Sequence, residues 1–197
     1  MIVYFRNVRI KDKHKQDAII DATVKLVNEI GFVSSSVSKI AKKANVSPAT
    51  LYIYYKNKED LLVSTYIEIK KKMSKELLKN FDINLPFRDI FEVFWKNGFD
   101  FVRQNRALFQ YSEQFANSPY SDLVNHFELE KHFEPFIKVL QKGIEQKVIK
   151  NVQFDLLATF IFYPIMIMSN SKMCRVLELN EETIETSFTL AWDAIKL

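Results

Sequence analysis

Apolar residues recur every three or four positions through most of the chain, which is the spacing of one face of an α-helix. The first such run ends at Gly31, a residue that can close a helix in the left-handed conformation, and it consists of Ile19, Thr23, Leu26 and Ile30. Runs with the same period continue to the C-terminus, and only three glycines and five prolines interrupt the 197 residues. The chain is therefore predicted to be all-α.

Two short helices are predicted directly after the first. Ser36 and Ser47 have side chains that favour the N-cap position, and Pro48 suits the first helical residue because it has no N–H to satisfy. Asn45 adopts the left-handed turn conformation more readily than most residues other than glycine. Only Asn45, Val46 and Ser47 separate the two helices, which is the spacing of a helix-turn-helix.

A longer helix is predicted to start at Asn57 and to end near Asn80, before a break at Phe81–Pro86. Further helices are predicted at 87–105, 107–117, 119–150, 153–171 and 181–196, with a kink or a split at Pro135. These elements predict a helix-turn-helix domain at 1–57, with its core at 13–57. A connecting helix at 58–80 and a C-terminal helical domain at 81–197 follow it.

The composition argues against several functional classes. The single cysteine, Cys174, excludes an intramolecular disulfide, and no nucleophile motif or glycine-rich phosphate loop is present. His126 pairs with Glu130, and Glu128 with His132, at a spacing that can hold a metal, but no third ligand accompanies them. We therefore expect neither an enzyme nor a bound metal or cofactor.

Nothing in the sequence predicts a membrane protein. The longest apolar run, Leu156–Met168, has 13 residues and is too short to span a bilayer. No cleavage site of a signal peptide follows Met1–Ile10, although membrane attachment by that patch stays as a remote alternative. A cytoplasmic protein, associated with the nucleoid when it binds DNA, is expected.

Positive charge is concentrated at the N-terminal end of the chain. Residues 1–75 contain 15 Lys or Arg and 7 Asp or Glu, whereas residues 76–197 contain 13 and 17. A basic module on a mildly acidic body favours a polyanion as the partner of the first part. Lys39, Lys42 and Lys43 add to this charge next to the predicted helix-turn-helix.

One stretch of the sequence matches a known pattern at fixed spacing and without gaps. It contains Gly31-Phe32, Ser36-Val37-Ser38-Lys39-Ile40-Ala41, Val46-Ser47-Pro48-Ala49-Thr50-Leu51-Tyr52, Tyr55, and Lys58-Glu59-Asp60-Leu61. In these residues the chain resembles the N-terminal DNA-binding domain of the TetR family of bacterial transcriptional regulators. Asn45 replaces the usual glycine, and Pro48 and Ala49 replace a commonly polar or basic residue and a common glycine.

The resemblance implies double-stranded DNA as the partner and assigns roles to individual residues. The major groove would be faced by Ser47, Pro48, Ala49, Thr50 and Ile53, and phosphates would be held by Ser36, Tyr52, Tyr54 and Lys58, with Lys39 adding positive charge. Tyr55 is interpreted as a packing residue. Because few of these side chains make bidentate base contacts, sequence preference is expected to depend on Thr50, thymine methyl groups and DNA shape.

The same resemblance implies that the C-terminal domain forms a homodimer and holds an effector. The helices at 153–171 and 180–196 would pair with those of the second subunit, with contacts assigned to Phe160, Ile167, Phe188 and Trp192. Residues 76–197 hold 20 of the 27 aromatic residues. An apolar effector pocket is predicted from Phe91, Trp95, Phe99, Phe109, Phe115, Phe127, Tyr163 and Met166, with His126 and Tyr163 as polar anchors. The alternative that these aromatics simply form the core stays open.

The sequence as a whole therefore predicts a homodimeric repressor that binds a palindromic operator and is released by a small hydrophobic effector. Two alternatives remain at this point. The first is a DNA-binding regulator without a small-molecule effector. The second is a helical lipid-binding or ligand-binding protein, or a helical enzyme, that shares only the N-terminal fold.

Overall fold

The computed structural model describes residues 12–170 and 172–197. They form nine α-helices: α1 (Lys13–Ser34), α2 (Val37–Lys43), α3 (Pro48–Tyr54), α4 (Lys58–Leu77), α5 (Phe87–Gln104), α6 (Arg106–Ala116), α7 (His126–Glu145), α8 (Phe154–Ser169) and α9 (Glu181–Ile195). A 3-10 turn covers Ser121–Leu123, and one isolated antiparallel bridge joins Ile149 and Lys196. The all-α fold is confirmed.

Five helices begin at a capping hydrogen bond, and those at Ser36, Ser47 and Asn57 confirm the helix starts predicted there. In each case a side-chain oxygen of the residue before the helix accepts a backbone N–H from the first turn, which satisfies a donor that the helix itself leaves unpaired. The pairs are Asp12 with His14 at 3.0 Å, Ser36 with Lys39 at 3.3 Å, Ser47 with Thr50 at 3.0 Å, Asn57 with Asp60 at 2.7 Å, and Asn180 with Thr183 at 2.9 Å.

Two predicted helix boundaries are wrong. Gly31 has a φ of 76°, as a helix-ending glycine would, but a further helical turn follows it, so α1 is kinked there and continues to Ser34. The helix predicted from Pro119 begins only at His126. The Ser118 hydroxyl donates to the Phe115 carbonyl at 2.7 Å. It therefore closes the end of α6 instead of capping a new helix.

The described chain divides into two compact units. Unit one comprises residues 12–68 and 107–124, and unit two comprises residues 69–106 and 125–197. This grouping differs from the predicted boundaries at 57 and 80, because the first half of α4 and α6 from Ala107 onward join the helix-turn-helix. The boundary falls inside α4 because the two halves of this helix pack against different neighbours.

Unit one has a core formed by α1, α2, α3 and the start of α4. Its buried side chains are Ile19, Ala22, Leu26, Ile40, Ala41, Leu51, Tyr55 and Leu61. Hydrogen bonds tie α6 to this group: the Tyr111 hydroxyl donates to the Leu62 carbonyl at 2.9 Å, and the Asn28 amide donates to the Ala107 carbonyl at 2.8 Å. The Gln114 amide in turn donates to Asn28 Oδ1 at 3.0 Å.

Unit two is built around α5 and its aromatic residues. Phe94 stacks on Phe136 of α7 with ring centroids 3.8 Å apart. Trp95 is fully buried, and its indole N–H donates to Ile184 O and Ser187 Oγ of α9, both at 3.3 Å, so its burial leaves no polar group unpaired. A Cβ at Gly98 would lie 2.8 Å from Ile165 Cδ1, so this glycine allows α8 to approach α5 closely.

Among residues 12–170 and 172–197, no helix is both long enough and apolar enough to span a membrane.

Burial strongly desolvates the amine of one lysine. Burial lowers the pKa of Lys70, in the second half of α4, from 10.5 to about 8. Folding therefore disfavours the charged form of this amine.

The depressed pKa of Lys70 predicts a pH-dependent cost to stability. Between about pH 8 and pH 10.5 the unfolded chain binds a proton that the folded chain does not, so stability rises with pH in that window. The variant Lys70→Met should raise the thermal unfolding midpoint by several degrees at pH 7 and by much less at pH 10. The exposed Lys72→Met serves as the control. An equal rise of the unfolding midpoint for Lys70→Met at both pH values would contradict the lowered pKa of Lys70.

Candidate nucleic-acid interface

The turn between α2 and α3 has the geometry of a helix-turn-helix. Asn45 adopts a φ of 55°, the left-handed conformation predicted for it. The Val46 N–H donates to the Ala41 carbonyl at 3.0 Å and so closes the end of α2. Ala41 and Leu51 are fully buried on the inner sides of the two helices. This packing determines which side of α3 faces solvent.

The outward side of α3 presents most of the residues predicted to face DNA. Ser47, Pro48 and Ala49 are exposed at the start of the helix. Further along, Tyr52 is 55% exposed and Ile53 is 44% exposed. Tyr55 is buried in the core of unit one, which agrees with its interpretation as a packing residue. The structure thus brings the predicted groove-facing residues together on one surface.

The hydroxyl groups of Ser47 and Thr50 lie within hydrogen-bonding distance of each other. Ser47 Oγ accepts the Thr50 N–H at 3.0 Å and lies 2.9 Å from Thr50 Oγ1. Thr50 is partly buried. Its γ-methyl group is the part of the side chain that takes no part in these hydrogen bonds.

The lysines predicted to lie at this surface hold the end of α1. Lys58 Nζ donates to the Val33 carbonyl at 3.2 Å, and Lys39 Nζ donates to the Ser34 carbonyl at 3.1 Å. Carbonyls at the C-terminal end of a helix carry partial negative charge and lack partners within the helix, so both ammonium groups stabilise it. The same groups have the chemistry to bind phosphate oxygens.

Tyr54 and Lys43, two further residues predicted to lie near DNA, make hydrogen bonds between helices of unit one. The Tyr54 hydroxyl accepts the Asp12 N–H at 3.1 Å and donates to the Asp12 carbonyl at 3.2 Å, which joins α3 to the start of α1. Lys43 Nζ bonds to both carboxylate oxygens of Glu29, at 2.7 and 2.8 Å, and joins α2 to α1. Sequence reasoning missed these contacts because both partners of each pair are distant in the chain.

The residues predicted to line an effector pocket do not share one environment. Phe91, Trp95 and Phe99 pack ring against ring in the core of unit two, with centroids 5.6 and 5.8 Å apart along the series. Phe109 and Phe115 are buried in unit one. In unit two, Phe127 and Tyr163 are exposed and Met166 is partly buried, while the His126 side chain lies outside the described atoms. The packed rings fit the interpretation as core.

The residues predicted at a dimer interface also divide into two groups. Phe160 and Ile167 are exposed on α8, whereas Phe188 is buried beneath Phe91 and Arg88. Trp192 is partly buried against Phe87. The structure therefore places Phe188 in the core of its own subunit, because the apolar side of α9 faces α5. Sequence reasoning missed Leu156 as a member of the α8 surface, although it lies four residues before Phe160.

Comparison with known proteins decides the family. The family model described as bacterial regulatory proteins of the tetR family matches residues 19–65, and the model described as the C-terminal domain of tetracyclin repressor-like proteins matches residues 86–196. The chain belongs to the TetR family. It is thus a helix-turn-helix transcriptional regulator, and the enzyme alternative is set aside.

Three relatives illustrate the extent of the similarity. A TetR family transcription regulator from Marinobacter aquaeolei has a crystal structure with a TM-score of 0.86 and 34% identity, over 94% of this chain and 97% of that chain. An uncharacterized HTH-type transcriptional regulator from Haemophilus influenzae is 28% identical over 91% of this chain and 95% of its own length. The fatty acid metabolism regulator protein of Bacillus subtilis is 51% identical over 57 residues, 29% of this chain and 28% of its own length.

The position of Lys58 predicts a specific salt dependence in this TetR-family regulator. Lys58→Ala should weaken binding to all DNA sequences alike and reduce the slope of log affinity against log salt by about one, the value for one lost phosphate contact. Fluorescence anisotropy at several salt concentrations measures the slope. Lys172→Ala, an exposed lysine between α8 and α9, is the matched control and should leave the slope unchanged. An unchanged slope for Lys58→Ala would exclude its contact with phosphate.

Proposed function

We propose that this regulator is a homodimer that represses transcription by binding a palindromic operator through α3. The exposed side of α3 is the observation that carries the proposal, since its inner side is buried and its N-terminus is capped by Ser47. Ser36, Lys39, Tyr52 and Lys58 supply the surrounding donors for phosphate. In a dimer the two copies of α3 would enter successive major grooves, about 34–36 Å apart.

The dimer is supported by an apolar stripe on α8. Its members are spaced by four, three and four residues, so they lie on one side of the helix: Leu156, Phe160, Tyr163 and Ile167, with 51%, 46%, 58% and 36% of each residue exposed. Leu157, Ile161 and Ile165 fill the opposite side of α8, which is buried in unit two. A large exposed apolar stripe requires a partner, and a second copy of the same stripe satisfies a twofold interface.

A small amphipathic effector is supported by a cavity in unit two. The cavity has a volume of about 280 Å³ and lies between the start of α5 and the end of α7. Leu85, Ile90 and Val139 are among its apolar lining residues, and Lys142 and Gln146 line it as well. This combination suits a short apolar chain with an acidic head. The Bacillus subtilis relative is named for fatty acid metabolism, so fatty acids are the first compounds to test.

Selection from random-sequence duplex DNA, followed by affinity measurements at two salt concentrations, tests the proposal. An enriched palindrome, bound by two chains with strong salt dependence, is the expected result. Binding without an enriched sequence would contradict an operator-specific repressor. Octanoate and dodecanoate are then added to the operator complex, and either should reduce the affinity for DNA. Undiminished binding at saturating concentrations of both would favour the alternative without this effector.

A charge placed in the α8 stripe should separate the dimer. Phe160→Glu is expected to give a monomer by sedimentation equilibrium, because two carboxylates would face each other in an apolar twofold interface. Its affinity for the full palindrome should fall to the level of a half-site. Ile83→Glu places the same charge on an exposed apolar residue away from α8 and should stay dimeric. A dimeric Phe160→Glu would exclude this stripe as the interface.

A further inference from the structure

The exposed side of α3 contains few groups that bond to the polar edges of bases. No Arg, Lys, Asn, Gln, Asp or Glu lies between Val46 and Tyr55, and these residue types make the specific hydrogen bonds to bases in the major groove. The two hydroxyls near the start of α3, on Ser47 and Thr50, already lie in hydrogen-bonding contact at 2.9 Å. The surface that α3 offers to a groove floor is therefore mainly apolar.

The exposed side chains of α3 are arranged in two neighbouring rows. Ala49 and Ile53 are four residues apart, as are Pro48 and Tyr52, and residues at this spacing lie one above the other on a helix. All four are exposed. Thr50 follows Ala49 and keeps its γ-methyl group outside the hydrogen bonds of the cap. Small side chains at the start of α3 allow its backbone to approach the bases closely.

Thymine matches this surface because it is the base that presents an apolar group, the C5-methyl, in the major groove. We propose that α3 recognises its operator chiefly through thymine methyl groups, with Ala49, Thr50 and Ile53 as the contacting side chains. This inference rests on the proposed function, since it concerns the same helix in the same groove. It adds the chemical class of the recognised base and the side chains that select it.

The inference is tested by removing single methyl groups from the DNA. Each thymine of the selected operator is replaced in turn by deoxyuridine, which keeps the pairing and the O4 acceptor but lacks the C5-methyl. Replacing at least one thymine in each half-site should lower the affinity about fourfold, which is the effect expected for removing one methyl group that is buried on binding. Thymines that do not face α3 should show no loss.

A protein variant identifies the side chain that contacts each methyl group. Ile53→Ala should bind the thymine operator more weakly and should no longer respond to deoxyuridine at the position that Ile53 contacts. Val176→Ala shortens an exposed aliphatic side chain between α8 and α9 and should keep the full deoxyuridine pattern. Equal thermal unfolding midpoints of the two variants show that the difference does not come from misfolding.

The outcomes separate this inference from the proposed function. An enriched operator that binds equally well with thymine or deoxyuridine at every position overturns methyl recognition and leaves the repressor proposal standing. A pool without any enriched sequence overturns the repressor proposal and the inference with it. A deoxyuridine penalty that Ile53→Ala leaves unchanged at every position overturns the contact assigned to Ile53.

Discussion

The structure of unit one depends on the burial of one side of α3. A helix of seven residues is not stable in water on its own, because the cost of nucleating it exceeds what so few hydrogen bonds return. Leu51 and Tyr55 remove that side from water by packing into the core formed with α1 and α2. Ser47 caps the exposed end of the helix. Once one side is held in this way, the opposite side must face solvent, whatever residues it carries.

The polar residues around α3 act within the protein before any DNA is present. Lys39, Tyr54 and Lys58 each bond to backbone groups of Asp12 or of the end of α1. Side chains held in this way have already lost much of their rotamer entropy, so a bound phosphate would cost less ordering than it would with mobile side chains. Each lysine ammonium has three N–H donors, so the bond to a helix carbonyl leaves donors that a phosphate oxygen can accept.

The apolar residues of unit two form both its buried core and an exposed surface on α8. Trp95 and the stacked rings of Phe94 and Phe136 fill its interior, and the hydrogen bonds of the indole remove the polar cost of burying it. On α8 the apolar residues divide by helical spacing into an inner row and an outer stripe. The residues of the outer stripe stay between 36% and 58% exposed, and they therefore give α8 a second apolar surface besides the one in the core.

The sequence by itself determined the helices, their caps and the helix-turn-helix, because these follow from contacts between residues close in the chain. Examples of such local features are the capping serines and asparagines, the left-handed turn at Asn45, and the four-residue spacing of the exposed residues on α3. Sequence reasoning failed at Ser118, whose hydroxyl bonds backward to α6, and in the placement of Phe188. Only the tertiary structure decided that α6 packs with the helix-turn-helix, that Tyr54 and Lys43 join α1, and which aromatic residues are core. These outcomes depend on which distant surfaces meet, and an apolar residue with helical spacing fits a core, a pocket or an interface equally well until its neighbours are known.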